Sequence, residues 1–494
     1  MATATSTAST PGKEARQGDA VQPYSMHVSS RYLELTSQKL QLTRLPKELP
    51  VPGTRKWELG VPKDVLEPLL DYWYVRFIST PHADVHMAAG PSGASLSISN
   101  PLRIHFVHAP STQPSALPLL YIHTWPSSFI EISKIVSALT NPLSMPSLGV
   151  GSQQAFHVVA PSIPGFGFSD EGNVAGAEEE MDCGKSFGIW ETAECFWRVM
   201  RVLGYQRGFE VSRALAIRHP ESVMAIHTSN PEFFEPTWKR SPFVCLKYRI
   251  ARMLGAKIPF LGFGYTPAEL ERQKSKVEEE DTRLALSNKP SGLMSFQYTL
   301  RPQTLSYSLC DSPIGLLACL LDTIHTRSPA AALSPRPQSP FLSPAEIEMS
   351  ESQHGYNARR HYTWTPTEVL DWTMLQWLPG PEASLRWLRQ AYLETHPSSP
   401  LSTTYSPVPV GISSFQSRNS SSSTWTASAS PIMWGSAICN IRWIKRHQRP
   451  AALPAWEAPD LLVLDMRDCF GSLLNQGLLG DVNLPGREIL EGAE

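Results

Sequence analysis

This chain lacks a strong net charge, a long apolar run and any paired cysteine motif. Its 494 residues carry 43 Lys and Arg against 45 Asp and Glu, a formal net charge of −2. That balance gives no electrostatic reason to expect nucleic acid or an anionic membrane as partner. Seven cysteines, an odd number without a Cys-x-x-Cys pair, read as scattered thiols rather than a disulfide framework or a metal site. The first twenty or so residues, rich in Ala, Thr and Ser, lack the apolar centre of a signal peptide. Acidic residues are absent before Glu14, which leaves a transit peptide open, but Arg is absent there too. No run approaches the ~20 apolar residues of a membrane helix. Gly315 to Leu321 comes nearest and is too short. A soluble, cytoplasmic protein with no transmembrane segment is expected, its oligomeric state undetermined.

Hydrophobic residues make up 41% of the chain, ample for a core. Its length suits two or three domains, or one large domain with a cap. Proline is abundant, with 44 residues, and it clusters. Ser328 to Pro344 and Pro397 to Pro431 are low in complexity, the second containing an unbroken serine run from Ser420 to Ser423. Such segments bury too little apolar surface to offset ordering entropy, so both read as loops or disordered insertions.

Two segments carry the strongest signal. Leu119-Leu120-Tyr121-Ile122 runs into His123-Thr124-Trp125-Pro126, and Phe156-His157-Val158-Val159-Ala160-Pro161 runs into Ser162-Ile163-Pro164-Gly165-Phe166-Gly167-Phe168-Ser169-Asp170. Each is a short apolar run ending in turn-forming residues, the pattern of a buried parallel strand that stops at a binding loop. Leu102 to Val107, Val223 to Thr228 and Ile441 to Lys445 also read as strands. Lys63 to Phe77, Ser128 to Leu139, Ile189 to Leu203, Val211 to Arg218, Thr367 to Trp377, Glu382 to Leu393 and Pro459 to Phe470 read as helices. The alternation predicts a doubly wound α/β domain, interrupted by a helical block from about Pro242 to Glu394 that forms a cap.

These motifs resemble the epoxide hydrolases of the microsomal type, which have the α/β-hydrolase fold. His123-Thr124-Trp125-Pro126 is similar to that family's His-Gly-Trp-Pro turn, and Phe156 to Asp170 to its strand and PGFGFS turn. Trp57 to Pro62 and Asp71-Tyr72-Trp73 resemble its amino-terminal arm. Thr299 to Leu317 and Trp364 to Arg386 resemble its cap, and Arg446 to Asp468 the segment that holds its catalytic His. The resemblance implies a disordered tail at 1–23, an arm at 24–100 and a first part of the core at 101–241. A cap follows at 242–396 with a low-complexity insertion at 328–353. The second part of the core is 397–494, with a Ser-rich insertion at 417–439. It also implies hydrolysis of epoxides to vicinal diols, in detoxification or secondary metabolism, with no cofactor and no metal. The substrate would be a small lipophilic epoxide. A carboxylate nucleophile forms an ester, cap tyrosines donate to the leaving oxygen, and a His oriented by an acid activates water.

The catalytic positions themselves depart from the family. Leu203-Gly204-Tyr205 and Ala214 match the flanks of the nucleophile elbow, but the strand and the Asp between them are gone near Arg207. Only Gln206 to Phe209 remain where a strand needs ~5 residues. Glu210, the sole nearby carboxylate, would sit on the following helix. The His position is occupied by Ala452, which cannot transfer a proton. His447 is close by, but it matches a non-catalytic position and would point elsewhere. Arg418 stands where the orienting acid belongs. Tyr298 and Trp387 are the candidates left for substrate contact, with Tyr298, Tyr307 and Tyr392 otherwise read as packing residues. Trp125 is the oxyanion-hole candidate, beside Thr124 in place of a Gly that permits close backbone approach.

Three readings stay open. The chain is a family member by descent that has lost the activity, a pseudoenzyme. Or its written sequence departs from the product of an active gene, since the elbow is excised between matching flanks. Or it is a binding protein that uses the cap pocket, with Trp364 to Trp387 lining a lipophilic site or, alternatively, filling the core.

Overall fold

The computed structural model describes residues 21–24, 28–49, 57, 59–79, 93–98, 102–123, 125–146, 153–172, 187–203, 212–258, 260–271, 273, 301–327, 332–333, 363–418, 425–426 and 430–479. Eleven strands lie within them, in chain order β1 (Val21–Tyr24), β2 (Gly93–Ile98), β3 (Leu102–Ala109), β4 (Leu117–Leu120), β5 (Phe156–Pro161), β6 (Ile226–Ser229), β7 (Ala332–Leu333), β8 (Thr363–Trp364), β9 (Ser406–Arg418), β10 (Trp425–Thr426) and β11 (Cys439–Pro450). The helices that position the site are α1 (Ser30–Gln41), α2 (Lys63–Ser79), α3 (Val136–Thr140), α4 (Ile189–Val202), α5 (Ser212–Arg218), α6 (Pro242–Leu254), α7 (Pro302–Leu309), α8 (Pro313–Arg327), α9 (Pro366–Trp377), α10 (Glu382–Glu394), α11 (Pro400–Thr403), α12 (Pro454–Glu457) and α13 (Pro459–Asn475).

The main sheet comes in two parts. One has the order β1-β2-β3-β5-β4, antiparallel up to β5 and parallel between β5 and β4. In the other, β9 pairs in parallel with β6 on one side and β11 on the other. Among the described residues no strand bridges β4 and β6. The alternation of side chains explains the layers. Ile104, Phe106 and Val159 face α4 and α5 with Phe196, Val199 and Ala214. Val107, Val158 and Leu119 face α3 and α13 with Leu139, Met466 and Phe470.

A third cluster joins α2 to α8 and α9. Trp73 of α2, Leu317 and Leu321 of α8, and Trp372 of α9 are buried together with Trp364 and Trp456. Trp377 donates its indole N–H to Thr36 Oγ1 of α1 at 2.8 Å. The start of α9 is dictated locally. Thr365 and Glu368 form a capping box, and Pro366 takes the first turn, where its missing N–H is harmless. The apolar run Gly315 to Leu321 lies inside α8, with Leu316, Leu317, Leu320 and Leu321 buried in this cluster. Among the described residues no single helix is long and apolar enough to cross a membrane.

Several expectations change. Pro397 to Pro431 is not all loop: α11 and the thirteen-residue β9 fall within it. Pro407 and Pro409 obscure β9 in the sequence. A register shift between Cys439 and Asn440 accommodates them, Asn440 pairing with Pro409 and donating its side-chain amide to the Pro407 carbonyl at 2.8 Å. The stretch expected as an insertion at 417–439 contributes the end of β9, β10, a 3-10 helix at Ile432–Ala437 and the first residue of β11. Val21 to Pro23, placed in the tail, belong to β1 and pair with β2. Within the insertion expected at 328–353, Ala332 and Leu333 form β7, and the rest lies outside the described residues. Ser128 to Leu139 is two helices, a 3-10 turn at Phe129–Lys134 and then α3. The first ends with the Ile135 N–H bonded to the Ile132 carbonyl, and both side chains are buried.

Candidate functional site

Between β4 and β6 lies a cavity of about 760 Å³. All four residues of β6, Ile226 to Ser229, line it. Consecutive residues of a strand point to opposite faces, so it is the edge of β6 that borders the cavity, not one face. Tyr121, Ile122 and His123, which follow β4, line the other side. Phe196 and Ala216 close it from the α4 and α5 layer, and Leu462 and Met466 from α13. The cavity thus passes through the plane of the sheet, where only nine residues of sequence separate α4's Val202 from α5's Ser212. Its volume and mostly apolar walls suit a small lipophilic ligand.

The expected site residues divide sharply. Trp125 and Trp387 both line this cavity, with Phe166 between them, its ring 6.2 Å from Trp125 and 5.5 Å from Trp387. Trp387 is fixed by its indole N–H, which donates to Thr192 Oγ1 at 2.9 Å. The Trp125–Pro126 peptide bond is cis. Gly165 is needed in the second turn: its φ is +82°, and a Cβ there would lie 3.0 Å from Cβ of Ala383 in α10. His123 is buried and accepts the Ile163 N–H on Nε2 at 3.1 Å, tying the two turns together.

Ala452 lines the cavity as well, at the position expected to hold a general base. The turn around it is well made, since Glu457 accepts the backbone N–H groups of Ala452 and Leu453. Arg418 ends β9 opposite Trp425, and its side chain lies outside the described residues. Arg207, Glu210, Thr124 and Tyr298 also lie outside them. Tyr307 and Tyr392, read as packing residues, are instead exposed, because each lies on the outer face of its cap helix. Of the aromatic stretch Trp364 to Trp387, Trp364, Trp372 and Trp377 fill the core, and Trp387 reaches the cavity. His447 points away from the cavity, stacks on Phe415 at 4.7 Å and bonds Asp465 at 2.5 Å.

A buried polar chain leads from the cavity wall to that pair. His227 Nε2 lies 2.9 Å from Ser413 Oγ, and Ser413 donates to Asp465 Oδ2 at 2.6 Å. With the serine proton committed to Asp465, Nε2 of His227 is the donor to Ser413 Oγ. Burial pushes the His227 pKa down to about 4, opposed by the Asp465 charge. Asp465 is pulled the other way: burial raises it, yet hydrogen bonds from His447 and Ser413 hold it below the usual carboxylate range. Lys445 Nζ completes the set, 3.0 Å from Asp465 Oδ1.

Sequence reasoning missed three polar groups of the cavity. Glu131 is buried and accepts the Tyr121 hydroxyl at 2.9 Å. His227 follows the apolar run Val223 to Ile226 into β6, and that place at the end of an apolar run was the available signal. Arg213 spans from α5 to the carbonyls of Leu401, Thr404 and Ile438, the last at 2.8 Å, and no local pattern announces it. Among the described residues no group of His, Cys, Asp and Glu could hold a metal ion.

Residues 21–132 match the family model described as the epoxide hydrolase N terminus. The chain is 27% identical over 327 residues to epoxide hydrolase 1 of Oryctolagus cuniculus, covering 63% of each protein. The match to the Sus scrofa counterpart is again 27%, over 64% of that protein. The chain therefore spans less than two thirds of the length of these relatives. Among solved structures it is similar to juvenile hormone epoxide hydrolase from Bombyx mori, with a TM-score of 0.62 at 19% identity, covering 94% of this chain and 97% of that one. Epoxide hydrolase from Aspergillus niger gives a TM-score of 0.59 at 18% identity, covering 93% and 97%. At such identities the structures speak for the fold, which is the α/β-hydrolase fold.

Proposed function

This chain belongs to the epoxide hydrolase family, and on that premise we propose that it binds a small lipophilic epoxide in the cavity between β4 and β6 without converting it to a diol. The observation that carries the reading is Ala452, a methyl group on the cavity wall, at the position that the sequence resemblance assigns to the general base. The family reaction forms and then hydrolyses an ester, and its nucleophile and base act as a unit, so that loss of one removes most of the rate. The apolar part of the wall, built from Ile122, Trp125, Phe166, Phe196 and Trp387, remains suited to holding the substrate class.

A second reading, hydrolysis in detoxification or secondary metabolism by different residues, rests on Glu131 and His227. A carboxylate and a neutral imidazole both line the same cavity. It would require Glu131 to attack an epoxide carbon and break its C–O bond, the Tyr121 hydroxyl giving a proton to the departing oxygen, and His227 then to take a proton from the water that hydrolyses the ester and frees the diol. Thermal unfolding with and without styrene-type and fatty epoxides tests the binding reading. Saturable stabilisation is the result expected, since a ligand of the native state alone raises its stability. The absence of any shift counts against binding. Diol formation that Glu131→Gln or His227→Asn abolishes would favour the second reading.

A further inference from the structure

A net charge near zero conceals one segment of a single sign. From Trp238 to Gly262 the chain has Lys239, Arg240, Lys247, Arg249, Arg252 and Lys257 and no acidic residue. This segment contains α6. Pro242 opens the helix, and Gly255 closes it in the left-handed region at φ +60°. Cys245, Tyr248 and Ala251 form its buried stripe, packed on Tyr265 and Trp434 in a small cluster apart from the main cores.

The opposite face of α6 is also apolar. Phe243, Leu246, Ile250 and Met253 follow one another at helical spacing, i, i+3, i+7 and i+10, and share one stripe. It is open to solvent at its ends, Phe243 being 78% and Met253 79% exposed. Phe260, just beyond the helix, is 87% exposed. Large side chains this exposed and this close together are not the scattered surface hydrophobes of an ordinary domain. At 100° per residue, Lys247 and Arg249 lie on either side of the stripe. Arg249 also stands over the Trp238 ring at 5.1 Å, an aromatic at the edge of the patch.

We propose that this face of α6, with Phe260, docks on a membrane surface that carries anionic lipid. An apolar stripe between cations, with no acid in the segment, is the arrangement of a helix lying in a bilayer interface. The stripe enters the acyl boundary while the flanking cations meet lipid phosphates. Charge complementarity favours this occupant. A second copy docked on the same face would bring like charges together across the contact.

Sedimentation of the full chain with vesicles tests it. Phosphatidylcholine vesicles should retain little protein, and vesicles mixed with phosphatidylserine should retain much more, with retention falling as salt rises. Lys247→Glu combined with Lys257→Glu should lower partitioning at least ~tenfold. Phe243→Ser combined with Met253→Ser should lower it comparably without touching charge. All four positions are exposed, and unchanged near-UV circular dichroism will show that the variants fold. The proposal is overturned if the wild type stays in the supernatant with anionic vesicles, or if both variants bind as the wild type does. It is equally overturned if the face mediates charge-sensitive self-association, or capture of an acidic protein, with no vesicle binding.

Discussion

The backbone N–H of Ala452 donates to Glu457 Oε2 at 2.6 Å. One carboxylate thus organises the turn that follows β11, because Leu453 N–H reaches the same oxygen at 3.2 Å. The turn is held by its backbone, and the side chain at 452 is free to change without loss of the fold. Glu457→Ala should leave two backbone donors without this acceptor in a buried setting and destabilise by about 2–4 kcal/mol. Ala452→His should cost far less and should not by itself produce diol. Urea midpoints of the two variants check this. Equal midpoints would remove Glu457 from its organising role.

Acid should destabilise the protein well before its carboxylates titrate. Burial lowers the pKa of both His105 and His227 to about 4 from the ordinary 6.5. Unfolding therefore takes up protons between those values, so the stabilising contribution is complete above pH 6.5 and is lost as pH falls toward 4. Near pH 5 the loss is about 2 kcal/mol for each imidazole relative to pH 8. Asp465, held below its usual range mainly by His447 and Ser413 against the effect of burial, adds its own loss only at lower pH. Urea unfolding across this range should slope upward with pH, and His227→Asn should flatten the slope. A level profile in the wild type would contradict the burial of neutral imidazoles.

The cavity should accept a larger side chain. Ala216 of α5 is buried and lines it. Ala216→Leu should raise stability by about 0.5–2 kcal/mol, as filling a void does. The same variant should reduce stabilisation by added epoxides. Calorimetry on both proteins reads the two effects together. A destabilised variant would mean that the wall around Ala216 is closed.

Much of the fold was legible because its strands are short, apolar and sharply bounded. Phe156 to Pro161 is the strand the residues announce, and α4 runs from Ile189 to Val202 almost as its periodicity requires. What escaped was hidden by composition. Pro407 and Pro409 made β9 resemble a loop, although the parallel pairing of Val410 to Ser413 with β6 puts it at the centre of its sheet. In β2, Ala94, Leu96 and Ile98 alternate with Ser95 and Ser97, but the run is short and lies among Gly and Pro, so it does not read as a strand; its pairing with β3 reveals it. At the site, Trp125, Trp387 and Ala452, which line the cavity, stand at recognisable positions in sequence motifs. Glu131, His227 and Arg213 do not, and sequence-distant elements bring them to one cavity.

The central claim is that the scaffold and apolar cavity persist without the family's turnover. Chromatographic detection of diol after incubation with styrene-type and fatty epoxides tests it most directly, with enzyme-free buffer as control. Diol should form no faster than in buffer with a protein whose near-UV circular dichroism shows ordered tryptophans. Diol formation well above the control, and proportional to protein concentration, would contradict it.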